Sequence, residues 1–347
     1  MTFKIAFLPG DGVGPEVANA ARALVERTAK ARDTAIEIDE FIFGGAAIDA
    51  GGDPFPAETK TACVNANAVF LGAVGGPKWD GGKVRPEAGL LALRKELGVF
   101  ANLRPIIVPP GMEQRSPLTT DRAKDVDILI VRELTGGVYF GDRVEGRQTA
   151  SDVCVYSREE VERVARIAFE AARGRSGKVT SVDKANVMAT GRLWRAAVTE
   201  LHEAEYSDVA LEHVLVDAMA MKLIQAPRDF DVVVTENMFG DILSDEASVI
   251  AGSIGLAPSA SLGAGGVGLY EPIHGAAPDI AGRDKANPIG AIMSAAMMFR
   301  HSALDDDAAR MIENAVSRVI ASGAGTPDIG GEDGTQSLAA KIVQALV

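Results

Sequence analysis

The sequence predicts an α/β protein, because short runs of valine, isoleucine and leucine alternate with helical stretches, with glycine or proline at many of the changeovers. The runs and the helices that follow them are KIAFL with 15–31, AVFLGAV with 87–97, DILIV with 157–173, KVTSV with 188–203, DVALEHVLV with 217–225 and DVVVT with 239–251. Runs this apolar belong to parallel strands covered by helices. The segment 134–156, LTGGVYFGDRVEGRQTASDVCVY, breaks the rhythm with glycine turns and alternating residues, and reads as a hairpin or an extended arm, at an oligomer contact or in solvent. From 257 to 287 glycine, proline, alanine and serine dominate without periodicity, which predicts a loop wrapping a site. Three amphipathic helices follow, near 288–301, 306–321 and 335–346, and no internal repeat is visible.

A chain of 347 residues exceeds the usual single-domain size, so two domains are expected, with the cleft as the natural active site. With 47% hydrophobic and 24% charged residues the chain can bury a large core. Its 35 basic and 48 acidic residues leave a formal charge of -13, which repels phosphate backbones and anionic lipid, so no nucleic acid and no membrane partner is expected. Cys63 and Cys154 lack the spacing of a disulfide framework or a zinc site. The apolar run in MTFKIAFLPGDG is too short for a signal-peptide core or a spanning helix, so the protein is read as reducing and cytoplasmic.

LPGDGVGPEV imitates a dinucleotide fingerprint, but Pro15 stands near where its last glycine is needed, so a Rossmann site is not expected and a tight strand-to-helix turn is. In GDILSDE, Asp241 and Asp245 are four apart and share one helix face, where they can hold a hard dication, Mg²⁺ or Mn²⁺. The plainer reading is a solvated acidic face near a helix start. Asp217, ending an apolar strand in EHVLVDAMAM, is a candidate third ligand. Glu87, Leu90, Leu91 and Arg94 form one stripe at i, i+3, i+4 and i+7, suited to a molecule branched and apolar at one end and anionic at the other, or simply to an amphipathic helix. Arg104 and Arg132, placed at the ends of apolar strands, are costly there without an anion partner, so three arginines could clamp two carboxylates. Lys184 follows a strand beside Asp183, where desolvation would favour a base, although a surface lysine fits as well. Tyr139 in GGVYFG could deliver a proton or pack as an aromatic. Glu271, His274 and Asp279 share the EPIHGAAPDIAG loop, where carboxylates hold ribose hydroxyls or cap turns.

LPGDGVGPEV, GGAAIDA, LGAVGGPKWD, RPEAGLLALRKELGVFANLRP, VRELTGGVYFG, SVDKANV, VDAMAM, NMFGDILSDEASVIAGSIGLAPSASLG and EPIHGAAPDIAG occur in this order over nearly the whole chain. In these motifs the sequence resembles the β-decarboxylating isocitrate/isopropylmalate dehydrogenase family. The resemblance implies a two-domain fold with a non-Rossmann NAD site in the interdomain cleft. The cofactor-binding domain would be 1–99 plus 253–347, and the second domain, 100–252, would hold the dimer interface and the arm at about 134–156. It further implies NAD-dependent oxidation of (2R,3S)-3-isopropylmalate with loss of CO₂ to 4-methyl-2-oxopentanoate in leucine biosynthesis, by a homodimer whose active sites are shared between subunits. By position, Arg94, Arg104 and Arg132 would hold the malate carboxylates, Leu90 and Leu91 would meet the isopropyl group, and Glu87 would lie between substrate and nicotinamide. Asp241 and Asp245 would bind Mg²⁺ or Mn²⁺ with Asp217 from the partner subunit, which would also touch substrate. Lys184, also from the partner, would be the base and Tyr139 the acid. NAD would be held by Gly75, Gly76, Glu87, Asn186, Glu271, His274, Gly275, Ala276, Ala277, Asp279, Ile280 and Asn287, with Asp279 on the adenosine ribose. NADP-dependent relatives carry lysine and tyrosine at the places of Asp279 and Ile280. Ala276 stands where the family often has serine, which removes about one hydrogen bond, of order 1 kcal/mol. SDVCVYS lacks the expected threonine after its aspartate, a departure that bears on the dimer contact.

Sister enzymes acting on isocitrate, homoisocitrate or tartrate share all but the leucine stripe, which would leave an isocitrate carboxylate against apolar side chains at a cost of several kcal/mol. A non-catalytic regulatory paralogue would not need the lysine, tyrosine and metal aspartates that are all present, and a structural protein with a bound cation leaves the three arginines unexplained.

Overall fold

The structure, a computed structural model, describes residues 2–346. The chain divides into two compact units. One takes both ends of the chain, up to Val99 and from Ala251, together with Pro109–Arg115; the other is Phe100–Val108 with Ser116–Ile250.

In the first unit, β1 (Phe3–Gly10) turns into α1 (Gly14–Ala31), and β2 (Ile36–Glu40), α2 (Gly45–Gly51), α3 (Ala57–Asn65), β3 (Ala68–Ala73) and α4 (Pro86–Leu97) follow. Pro15 lies in the first turn of α1, where its fixed φ fits and its missing N–H costs nothing. The turn before it is tight: Gly10 has φ +74 and Gly12 φ +58, and a Cβ on Gly12 would stand 2.0 Å from the Ala276 carbonyl oxygen.

The second unit begins with β4 (Ala101–Ile107), α5 (Thr120–Ala123) and β5 (Asp127–Glu133), then a short antiparallel hairpin, β6 (Arg143–Val144) with β7 (Ser151–Asp152). It continues with α6 (Arg158–Arg173), β8 (Lys178–Asp183), α7 (Ala189–Glu205), β9 (Ala210–Leu215), α8 (Val216–Gln225), β10 (Val232–Thr235) and α9 (Asn237–Ile250). Its strands run in the order β4-β5-β10-β8-β9, parallel except for β4 against β5. Ile128, Ile130, Val182, Val233, Leu243 and Ala247 belong to one buried cluster under α8 and α9.

The chain then returns to the first unit with β11 (Pro258–Leu262), β12 (Gly268–Pro272), α10 (Ile289–His301), α11 (Asp306–Ala321) and α12 (Thr335–Gln344). The strand order there is β2-β1-β3-β12-β11, parallel except for β12 against β11. The loop expected over 257–287 is therefore corrected in part: PSASL and GLYEP form a buried antiparallel pair. Burial of nearly every position in both strands leaves no alternation to read, and Ser259 is satisfied locally, its Oγ donating to the Glu271 carbonyl at 2.9 Å. No helix among the described residues is long and apolar enough to cross a membrane.

Candidate active site

The C-terminal end of β5 and the start of α9 bring the second unit's functional side chains together. Asp241 and Asp245 lie one turn apart on α9, as the spacing of four requires. Arg132 Nη1 forms an ion pair with Asp241 Oδ1, while Arg104 reaches Asp241 through Nη2 and Asp245 through Nη1, each at 3.5 Å. Both guanidiniums are buried, at 3 and 5% exposure, so the carboxylates offset a desolvation cost that would otherwise be several kcal/mol. Tyr139 donates from its hydroxyl to Asp241 Oδ2 at 3.2 Å, and the Arg132 guanidinium lies 5.9 Å from its ring centroid. Burial and the Asp241 charge hold the Tyr139 phenol above its ordinary value, so it keeps its proton at neutral pH.

Arg104 departs from the expected strand end: it sits in the middle of β4, paired with Ile130. Because β4 is antiparallel, the reading of parallel strand ends does not apply to it. Its Nε donates to Asn102 at 2.6 Å and its Nη1 to Ser244 at 2.5 Å, so two polar side chains fix the guanidinium.

Lys184 and Asp217 form a second group, with Nζ 2.6 Å from Oδ1. That bond holds the Asp217 carboxyl below its ordinary value. Asp183, the neighbour named from sequence, instead accepts from Arg195 Nε at 2.8 Å and from the Ala185 N–H. Asn186 is exposed in the turn just beyond.

Asp241 and Asp245 present hard oxygen donors, and burial raises the Asp245 carboxyl despite the attraction of Arg104, a cost to its charged form that a dication relieves. Among the described residues no group of three His, Cys, Asp or Glu could hold a metal. The chain therefore supplies a partial ligand set that fits Mg²⁺ or Mn²⁺ by donor chemistry.

In the first unit the stripe on α4 keeps Leu90 and Leu91 half-buried, and Arg94 is buried. Arg94 Nη2 donates to Glu271 Oε1 at 2.8 Å, so Glu271 braces an arginine. Arg94 Nε is enclosed without a hydrogen-bond partner among the described residues, a donor that an anionic ligand would satisfy. Glu87 reaches the Gly75–Gly76 turn, where a Cβ on Gly75 would stand 2.7 Å from Glu87 Oε1. Gly75 and Gly76 have φ of +110 and +147, conformations that leave this edge open only to glycine.

Asp11, which the sequence reading missed, organises this turn. Its buried carboxylate accepts from the N–H groups of Gly75 at 2.9 Å and of Gly45 and Ala46 at 2.8 Å. An aspartate inside PGDGVG carries no local sign that three backbone donors from elsewhere will converge on it.

A cavity of the first unit is lined by Val13, His274, Gly275, Ala277, Ile280 and Asn287, among others. Asp279 is exposed, and Ala276 is buried, its carbonyl accepting from Val13 N–H at 2.8 Å. His274 Nδ1 lies 3.0 Å from the Gly275 carbonyl, which assigns the proton to Nδ1 and leaves Nε2 an acceptor, enclosed and without a partner. Burial lowers the imidazole's affinity for a second proton, so the ring is neutral at pH 7. A cavity whose lining includes one orphaned neutral acceptor, His274 Nε2, fits a ligand that offers a hydroxyl donor, as the ribose of a dinucleotide does.

An arginine-held carboxylate pair with a tyrosine in the second unit, and a ligand-sized cavity in the first, are the equipment of a dehydrogenase. The isocitrate/isopropylmalate dehydrogenase family model matches residues 4–345, and the chain belongs to that family. It is similar to the 3-isopropylmalate dehydrogenase of Oleidesulfovibrio alaskensis, 54% identical with 96% of each chain covered. The 3-isopropylmalate dehydrogenase of Bacillus subtilis is 50% identical, with 100% of this chain and 98% of that one covered. The crystal structure of isocitrate dehydrogenase from Methylococcus capsulatus superimposes with a TM-score of 0.90 at 36% identity, covering 99% of both chains.

Proposed function

We propose that this protein catalyses NAD-dependent oxidative decarboxylation of (2R,3S)-3-isopropylmalate to 4-methyl-2-oxopentanoate, a step of leucine biosynthesis. The observation that carries the chemistry is the cluster of Arg104, Arg132 and Tyr139 on the Asp241–Asp245 pair. The choice of substrate is supported by relatives at about half identity over their full length and by Leu90 and Leu91 beside the buried Arg94.

Arg94, Arg104 and Arg132 hold the two malate carboxylates, and Leu90 and Leu91 take the isopropyl group. Lys184 accepts the proton of the C2 hydroxyl as the C2 hydride leaves. The C3 carboxylate then departs as CO₂, because its bonding electrons pass into the new C2 carbonyl, and Tyr139 returns a proton to C3. Bound at Asp241 and Asp245, Mg²⁺ or Mn²⁺ supplies positive charge for the substrate oxygens, and NAD, held by the His274–Asn287 cavity and the Gly75–Gly76 turn, supplies the hydride acceptor.

Lys184 and Asp217 pair with each other, and among the described residues no metal-holding group of three includes Asp217, which supports their serving the active site of a second copy in a homodimer. Exposed Met221 and Ile224 on α8 and Ile242 and Val249 on α9 supply apolar surface for that contact. A cytoplasmic location agrees with the acidic charge and the free cysteines.

The test is NADH formation with Mg²⁺ and NAD, comparing 3-isopropylmalate, isocitrate, homoisocitrate and tartrate, with NADP in parallel. Selective turnover of isopropylmalate with NAD is expected; a preference for another malate would refute the leucine stripe as the specificity element.

A further inference from the structure

Arg132 and Tyr139 belong to different segments, the end of β5 and the turn beyond it, yet both converge on Asp241. The side chain that joins them is Asn237, the first residue of α9 and 1% exposed. Its Oδ1 accepts from Arg132 Nε at 3.1 Å and from Arg132 Nη2 at 2.8 Å. Its Nδ2 donates to the Gly136 carbonyl, three residues before Tyr139, at 3.2 Å. A guanidinium only donates and a carbonyl only accepts, so one orientation of the amide satisfies both.

Asn237 is itself anchored. Its N–H donates to the Tyr156 hydroxyl at 3.0 Å, and that hydroxyl donates to Glu236 Oε2 at 3.1 Å. Tyr156 is also the floor under the tyrosine turn, since a Cβ on Gly136 would stand 2.5 Å from its ring and one on Gly137 2.5 Å from its hydroxyl. Gly240, one turn along α9, lets the helix lie on the Arg132 stem, because a Cβ there would meet Arg132 Cγ at 2.6 Å.

We infer that Asn237 is a positioning residue that aims Arg132 at the substrate carboxylate and Tyr139 at the carbon it protonates, and that it must be neutral to do so. The inference rests on the reaction proposed above. A carboxylate at this position would accept the same two guanidinium bonds, but it would compensate the charge meant for the substrate and could not donate to Gly136. Asn237 thus separates a structural partner of Arg132 from an electrostatic one.

The experiment is steady-state kinetics of the full-length enzyme with Mg²⁺, NAD and 3-isopropylmalate, on wild type, Asn237→Ala, Asn237→Asp, Tyr139→Phe and the Asn237→Ala/Tyr139→Phe double variant. A wild type inactive on every malate overturns the proposed reaction, and the inference with it, before any variant is compared. With an active wild type, Asn237→Ala is expected to raise the KM of isopropylmalate and to lower kcat at least tenfold each, with the KM of NAD within twofold. In the Tyr139→Phe background the same substitution is expected to change kcat less than twofold, because the two act through one turn. Asn237→Asp is expected to fold and to raise the substrate KM at least tenfold. Either a substrate KM within twofold of wild type in both Asn237 single variants, or an Asn237→Ala kcat loss undiminished without Tyr139, overturns the proposal. Failure of both Asn237 single variants to fold would do so too, assigning Asn237 to stability alone.

Discussion

Tyr139 and Asp245 have separable duties, and single substitutions distinguish them. Tyr139→Phe keeps the ring beside Arg132 and removes only the proton, so kcat should fall by about 10² to 10⁴ with the substrate KM little changed. A kcat within a few-fold of wild type would move the acid elsewhere. Asp245→Asn keeps the shape but removes one of two carboxylates from the partial metal set, so the Mg²⁺ concentration for half-maximal rate should rise at least tenfold, by the order of one strong ligand. An unchanged Mg²⁺ requirement would return Asp245 to the acidic-face reading. The aspartate pair was legible because a spacing of four is local and periodic. Asn237, Ser244 and Asp11 were not, because what each does depends on groups from β5, β4 or the Gly75 turn that the fold delivers from far along the chain.

At the scale of elements, the parallel βα units were readable because a strand buried on both faces is apolar throughout. β4 was legible only as an apolar strand ending at Arg104, and the β11–β12 pair only as loop, since ANLRPII carries its buried arginine in mid-strand and PSASL carries serines, residues that find partners inside the sheet. The entry into β10 is held by a different device. Asp231 accepts from Arg175 Nε at 2.7 Å and from the N–H groups of Ser176 and Lys178, tying β10 to the connection between α6 and β8. Burial pushes its carboxyl up, but Ser176 and Arg175 outweigh burial and hold it below the ordinary aspartate value. The unfolded chain therefore takes up the proton first as pH falls. The stabilisation is whole above the unfolded value and lost as pH drops through the depressed folded one. Asp231→Asn should lower the unfolding free energy by about 1.5–3 kcal/mol at pH 7. Urea denaturation should show the gap to wild type closing in acid, and a gap independent of pH would mean that packing, not charge, is what Asp231 contributes.

At the scale of the whole molecule, no metal-holding group of three among the described residues joins Asp217 to the Asp241–Asp245 pair, so the proposed homodimer raises the question of which copy serves which site. If the sites are shared, then at a Mg²⁺ concentration that just saturates the wild type a Lys184→Met homodimer and an Asp245→Asn homodimer are both largely inactive, for different reasons. A mixed dimer of the two then contains one site built wholly from wild-type residues and one carrying both substitutions. Refolding equal amounts together gives half of the chains in mixed dimers, each with one good site, so about a quarter of wild-type activity should return. Lys184→Met removes the ion pair with Asp217 without touching the arginine cluster, which keeps the two defects independent. Activity that returns on mixing, and not when either variant is refolded alone, requires Lys184 of one copy to act with Asp245 of the other. No return, with mixed dimers demonstrated by a mass tag on one parent, would place each lysine in the active site of its own chain.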